Sequence, residues 1–163
     1  MNDKKIEIFE KIRDEPLNNP QKLSDKDNRC WGKHRRLKDL LEKEGYNVRF
    51  RVCSFNWSKQ KFSENILSIP HKDEDYHLYL EVNINNRWTI LDCSNDSKLQ
   101  IYNTWNGINN CKIAVNYNKI FSIEESSRIE KEEKKNFPRL LKENKIFYVS
   151  INKFFDNLRA SKY

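Results

Sequence analysis

The stretch "DYHLYLEVNINNRWTILDC", residues 75 to 93, restricts the fold more than any other part of the chain. Before Asn85-Asn86, every second residue from Leu78 to Ile84 is apolar, and Thr89 and Leu91 continue that row after it. Period-two alternation marks a strand with two distinct faces. Two asparagines between such runs suit a two-residue hairpin turn, because Asn tolerates positive φ better than most residues. A turn there sets Tyr79 opposite Asp92. His77 shares the face of Tyr79, so His77 and Asp92 become diagonal neighbours with Cα atoms about 7–8 Å apart, a gap that an imidazole and a carboxylate can bridge. The same face carries Glu81, Trp88 and Ile90.

Helical periodicity flanks this hairpin. Residues 3–14 place Ile6, Ile8, Phe9 and Ile12 on one side and end near Pro16. A second helix is expected from about Cys30, with Asp27 or Asn28 as N-cap, Trp31, Leu37, Leu40 and Leu41 on its buried side, and Gly45 as its stop. "YNVRFRVCSF" alternates as a strand, and residues 56–75 read as a long polar loop. A further strand is expected around residues 112–117. Ser122 to Glu125 has the form of a capping box, Pro138 should start another helix, and Ile146, Phe147, Ile151, Phe154, Phe155 and Leu158 form an apolar stripe. This order predicts an α+β domain spanning 1–163, with its core in 28–95 and a helical extension from about 120.

Three glycines and four prolines leave no material for a Gly-rich phosphate loop or a flexible linker. The net charge of +7 admits a nucleic-acid partner. However, lysines interleave with glutamates, as in "RIEKEEKK", and "KHRRLK" is the only dense basic run. A solvated mixed-charge surface is therefore expected, with His34 on the surface of its helix and within hydrogen-bonding reach of the cleft. No apolar run reaches about 18 residues and no apolar segment follows "MNDKKIEIFEKIRDE", which predicts a cytoplasmic protein that engages no membrane.

The cysteines Cys30, Cys53, Cys93 and Cys111 show no CxxC spacing and are expected as free thiols. Cys30 and His34, four apart on a helix, could ligate zinc with His71 or Cys53. No second regular ligand pair accompanies them, so neither metal nor cofactor is expected. Cys30 stands out for another reason. The start of a helix offers free N–H groups and a positive dipole end, which favour a thiolate. A Cys there, a His on one strand and an Asp on the next make a workable nucleophile, base and orienting acid.

Three segments carry a resemblance to the transglutaminase-like (papain-like) superfamily: "RCWGKHRRLKDLLEKEGYNVRFRV", "HLYLEV" and "RWTILDCS". They are similar to that family's Cys-Trp helix followed by a strand, its His strand and its Trp-x-x-x-Asp strand, and together they cover residues 28–95. The resemblance implies a nucleophile helix packed on an antiparallel sheet. It makes Cys30 the nucleophile, His77 the general base and acid, and Asp92 the orienting carboxylate. It implies a peptide or protein substrate whose amide bond is hydrolysed or transferred, bound by Trp31, Tyr79 and Trp88. The alternative is a domain of the same fold that has lost its chemistry and binds protein or nucleic acid. Gln21 is the only glutamine upstream of Cys30 that could polarise a carbonyl, beside the Cys30 backbone N–H. Asp73, Glu74 and Asp75 precede His77 and read either as a solvated turn or as an attraction for an amine-bearing substrate.

Overall fold

A computed structural model describes residues 3–161 and has an α+β architecture: one curled antiparallel sheet of four strands and five α-helices. In chain order the elements are α1 (Lys4–Arg13), α2 (Cys30–Lys43), β1 (Val48–Asn56), α3 (Glu64–Leu67), β2 (Glu74–Ile84), β3 (Arg87–Leu91), β4 (Tyr117–Ile120), α4 (Ile123–Glu143) and α5 (Lys145–Ser161). The sheet order is β3-β2-β1-β4.

The hairpin forms as its alternation requires. Asn85 and Asn86 have φ of 51° and 63°, the left-handed pair that a two-residue turn demands. Leu80 pairs with Leu91 and Val82 with Thr89, which is the register that puts Tyr79 level with Asp92. β3 stops at Leu91, so His77 on β2 lies beyond the end of that ladder. Against β1, His77 stands opposite Cys53.

Leu80, Val82 and Ile84 of β2 and Leu91 of β3 pack under α1 and α2, on Ile8, Phe9, Ile12, Leu37 and Leu41. α2 ends as its sequence suggests: Gly45 adopts φ 90° and the Tyr46 N–H bonds back to the Leu41 carbonyl. α4 opens with the capping box between Ser122 and Glu125. It anchors to β1 where Ser126 Oγ accepts the Val52 N–H at 2.9 Å. α5 closes an aromatic cluster of Trp57, Phe62, Phe147 and Phe155.

Four expectations need correction. The strand after the hairpin is Tyr117–Ile120, later than 112–117, because the earlier residues run irregularly along β3, where the Cys111 N–H bonds to Ile90 O. Pro138 lies inside α4 and does not start a helix; the break falls at Asn144. Losing one N–H costs less there than abandoning a long amphipathic face. The N-cap of α2 is Arg29, since Asp27 accepts from the Arg29 N–H and grips its guanidinium. Ile146 of the expected α5 stripe is 74% exposed, about 100° around the helix from its buried neighbour Phe147. No helix among the described residues is long and apolar enough to cross a membrane.

Candidate active site

The first turn of α2 presents Cys30. Its entry depends on Gly32, where any Cβ would sit 1.9 Å from the Asp27 carbonyl oxygen, so a close backbone approach excludes every other residue type. Arg29 adopts the extended N-cap conformation, but its side chain does not bond the first-turn N–H groups. Its guanidinium instead binds Asp27 at 2.8 Å and Glu133 of α4 at 2.8 Å, both shielded from solvent. The helix tip carrying Cys30 is thus held rigidly while its own N–H groups stay without a side-chain cap.

Beyond the end of the β2–β3 ladder, His77 Nε2 donates to Asp92 Oδ2 at 2.8 Å. Asp92 is fully buried and accepts three more hydrogen bonds: from the Ser94 N–H at 3.0 Å and the Ser94 hydroxyl at 2.6 Å on Oδ1, and from the Ala114 N–H at 2.8 Å on Oδ2. Burial pushes this carboxyl up, yet His77 and the donated bonds outweigh it and hold it well below the usual carboxylate range. Burial likewise opposes the charge on His77, but Asp92 and then Cys30 reverse this and raise it to about 10. Cys30 is thus close enough to the ring to influence it. With Nε2 committed to Asp92, Nδ1 is the nitrogen left for the thiol.

A second histidine completes this cluster. His34 is fully buried, not on the outer face of α2. Its Nδ1–H donates to the Cys30 carbonyl at 2.7 Å, and its Nε2 accepts the Cys93 N–H at 3.0 Å. Nε2 therefore carries no proton, and its 3.5 Å approach to Asp92 Oδ1 is not an ion pair. Burial pushes His34 down to about 4. With both nitrogens engaged, it offers no lone pair to a metal.

The "KHRRLK" run is not an open basic patch. Lys33 is completely buried and its ammonium donates to the carbonyls of Arg13, Glu15 and Ser94 at 2.8, 2.8 and 2.9 Å, joining α1 and the segment after β3 to α2. Arg35 pairs with Glu130 and Glu133 of α4, and Arg36 with Glu15. These charges hold the helix in place and do not face solvent as a stripe.

Asp92 holds His77 by a hydrogen bond and Cys30 lies near enough to raise that ring, with Trp31 buried beside Cys30 on Val52 and Leu78. It does not bring the other aromatic candidates. Tyr79 is 1% exposed in a cluster with Cys53 and Ile113, because the strand and the irregular segment before β4 close over it. Trp88 pairs with Asn83, far along β2 from His77, with the Arg49 guanidinium 3.9 Å above its ring. Gln21 is bound to Asn19 O in its own loop and contributes nothing to the Cys30 site. Burial raises Cys53 and Cys111 to about 12 and Cys93 further still, which leaves those three as protonated thiols. Compared with protein-family models, with curated proteins and with solved structures, the chain has no significant match in any of the three.

Proposed function

We propose that the chain is a thiol enzyme of transglutaminase-like (papain-like) type that acts on an amide bond, with hydrolysis as its reaction. The observation that carries this reading is the pairing of His77 with a fully buried, four-fold hydrogen-bonded Asp92 at 2.8 Å, beside a half-buried cysteine at an uncapped helix start. A buried carboxylate of this kind fixes the imidazole tautomer and stabilises imidazolium. An isolated structural histidine has no need of a cysteine neighbour on its free nitrogen.

The chemistry follows from these positions. His77 takes the thiol proton as Cys30 Sγ bonds to the amide carbon. The oxygen gains negative charge and is held by backbone N–H groups at the start of α2, Cys30's own among them. The C–N bond then breaks as His77 passes that proton to the leaving amine, giving a thioester. Water attacks it, its proton goes to His77, and rupture of the C–S bond returns the thiol and releases the acid. An amine in place of water would give transfer by the same steps. Binding of a polyanion through α2 has less support, because Lys33, Arg35 and Arg36 already bind acceptors within the protein.

Alkylation tests the proposal. With iodoacetamide at pH 6, Cys30 should react at least about tenfold faster than a free peptide thiol, because the base beside it removes the proton. Cys53, Cys93 and Cys111 should stay unmodified in peptide mapping. His77→Gln, verified as folded by circular dichroism, should abolish the advantage. Reaction of Cys30 at the free-thiol rate, or equal reactivity in the variant, would overturn the enzyme reading.

A further inference from the structure

A cavity of about 90 Å³ adjoins this cluster, and three of its lining residues belong to the same elements: Arg29 and Trp31, on either side of Cys30, and Asp75, two residues before His77 on the same face of β2. Its walls are aromatic, from Trp31, Trp57 and Tyr148. Exposed Lys72 and Glu74 also line it, so it reaches the surface.

Two acceptors in this wall have spare capacity. Asp75 receives the Trp57 indole N–H at 3.2 Å and the Tyr76 N–H at 2.8 Å, but pairs with no cation among the described residues. His71 donates Nδ1–H to the Ile69 carbonyl at 2.6 Å and stacks on Phe147, and its buried Nε2 has no partner. Arg29, the one guanidinium in the wall, is already held between Asp27 and Glu133. Glu133 is in turn shared with Arg35. Burial is the largest influence on Asp75 and raises it; its two donated bonds and the more distant charge of Arg29 oppose this without reversing it.

We propose that this cavity binds a primary ammonium group on a short alkyl chain, such as the end of a lysine-like side chain, with Asp75 and His71 Nε2 accepting its hydrogens and the rings of Trp31, Trp57 and Tyr148 around its methylenes. A cavity with aromatic walls and unpartnered acceptors fits a cation with an apolar stem better than an anion or a neutral chain. Resting on the thiol-enzyme reading, it makes the substrate class an amide next to an amine-bearing side chain. The acidic run before His77 then serves recognition through one member, Asp75. Asp73 is turned away, accepting from Ser58 and Asn56.

The probe is n-butylammonium, and the reporter is the Trp57 indole N–H signal in proton–nitrogen correlation spectra, assigned through Trp57→Phe. In wild-type protein, and equally in Cys30→Ser, this signal should shift saturably. Asp75→Asn keeps the shape and an acceptor oxygen, and should weaken binding by about tenfold to a hundredfold. His71→Phe, which keeps the stack on Phe147, should weaken it to a smaller extent. n-Butanol, a neutral chain of equal length, should not saturate. No saturable shift, equal binding of n-butanol, or unchanged affinity in a folded Asp75→Asn would overturn the proposal. Because the readout needs no catalysis, intact binding with an inert Cys30 would instead overturn the enzyme reading alone.

Discussion

The first turns of α2 and the outer end of β2 each bring one buried histidine to Asp92. The two rings lie 6.3 Å apart at their centroids and shift in opposite directions. Burial is the leading influence on both and disfavours charge on both. The hydrogen bonds decide the difference. His34 accepts a backbone N–H, which only an unprotonated nitrogen can do, so the helix site fixes a neutral ring. His77 donates to a buried carboxylate and has Cys30 as a neighbour, so the strand site favours a cation. Two imidazoles beside one acid thus become a neutral spacer under the Cys30 carbonyl and a cationic partner of Asp92.

The largest effect should come from removing the shared acid. Asp92→Ala would leave the His77 Nε2, the Ser94 hydroxyl and the Ala114 N–H without their acceptor in a buried place. The loss should be about 3–5 kcal/mol in urea unfolding. In the better-folded Asp92→Asn, NMR titration should show His77 falling well below its wild-type value, since Cys30 alone would then oppose burial. His34 should stay neutral throughout. A His77 that still holds its proton at neutral pH in Asp92→Asn would show that Asp92 does not drive the contrast.

Replacing the spacer should cost less. His34→Leu roughly conserves volume but strands the Cys93 N–H, an unpaired buried donor worth about 1–3 kcal/mol. His77 should keep its raised titration in this variant, because Asp92 still faces it. Thermal or urea unfolding measures the first part and NMR the second. Loss of the His77 shift in a folded His34→Leu would mean that the two sites form one coupled unit.

The strand half of this site was legible in the sequence and the helix half only in part. Alternation around Asn85-Asn86 fixes register, because a one-residue slip would turn Leu78, Leu80 and Val82 out of the core. That alone carries His77 to Asp92. Ser94 was also within reach: a serine two residues after an aspartate is a common partner for its carboxylate. The burial of His34 was missed because its neighbours Lys33, Arg35 and Arg36 suggested an exposed run. Yet Cys30, His34, Leu37 and Leu41 follow the three-and-four spacing of one buried face. Lys33 could not be read at all, since its three acceptors come from residues remote in sequence. The Ala114 N–H was equally hidden, on an irregular segment expected as a strand. The α+β class survived these errors because alternation and helical periodicity are local, whereas Pro138 was outweighed by the packing of a whole face.

The effect that resolves the comparison most finely is a pair of opposed pH dependences. An unfolded histidine titrates near 6.5. His77, raised to about 10 in the fold, contributes stability that is complete below 6.5 and declines between 6.5 and 10. His34, lowered to about 4, contributes no pH-dependent term above 6.5. Between 6.5 and 4 the unfolded chain binds a proton that the folded ring refuses, so stability falls as the medium becomes more acidic. Each slope is at most about 1.4 kcal/mol per pH unit. Urea unfolding of wild type, His34→Leu and His77→Gln at intervals from pH 4.5 to 9.5 isolates them as differences. The advantage of wild type over His77→Gln should hold below pH 6.5 and shrink above it. Its advantage over His34→Leu should hold above 6.5 and shrink below it. Two gaps that close in the same direction would mean that the rings titrate alike, and the division of labour between helix and strand would be lost.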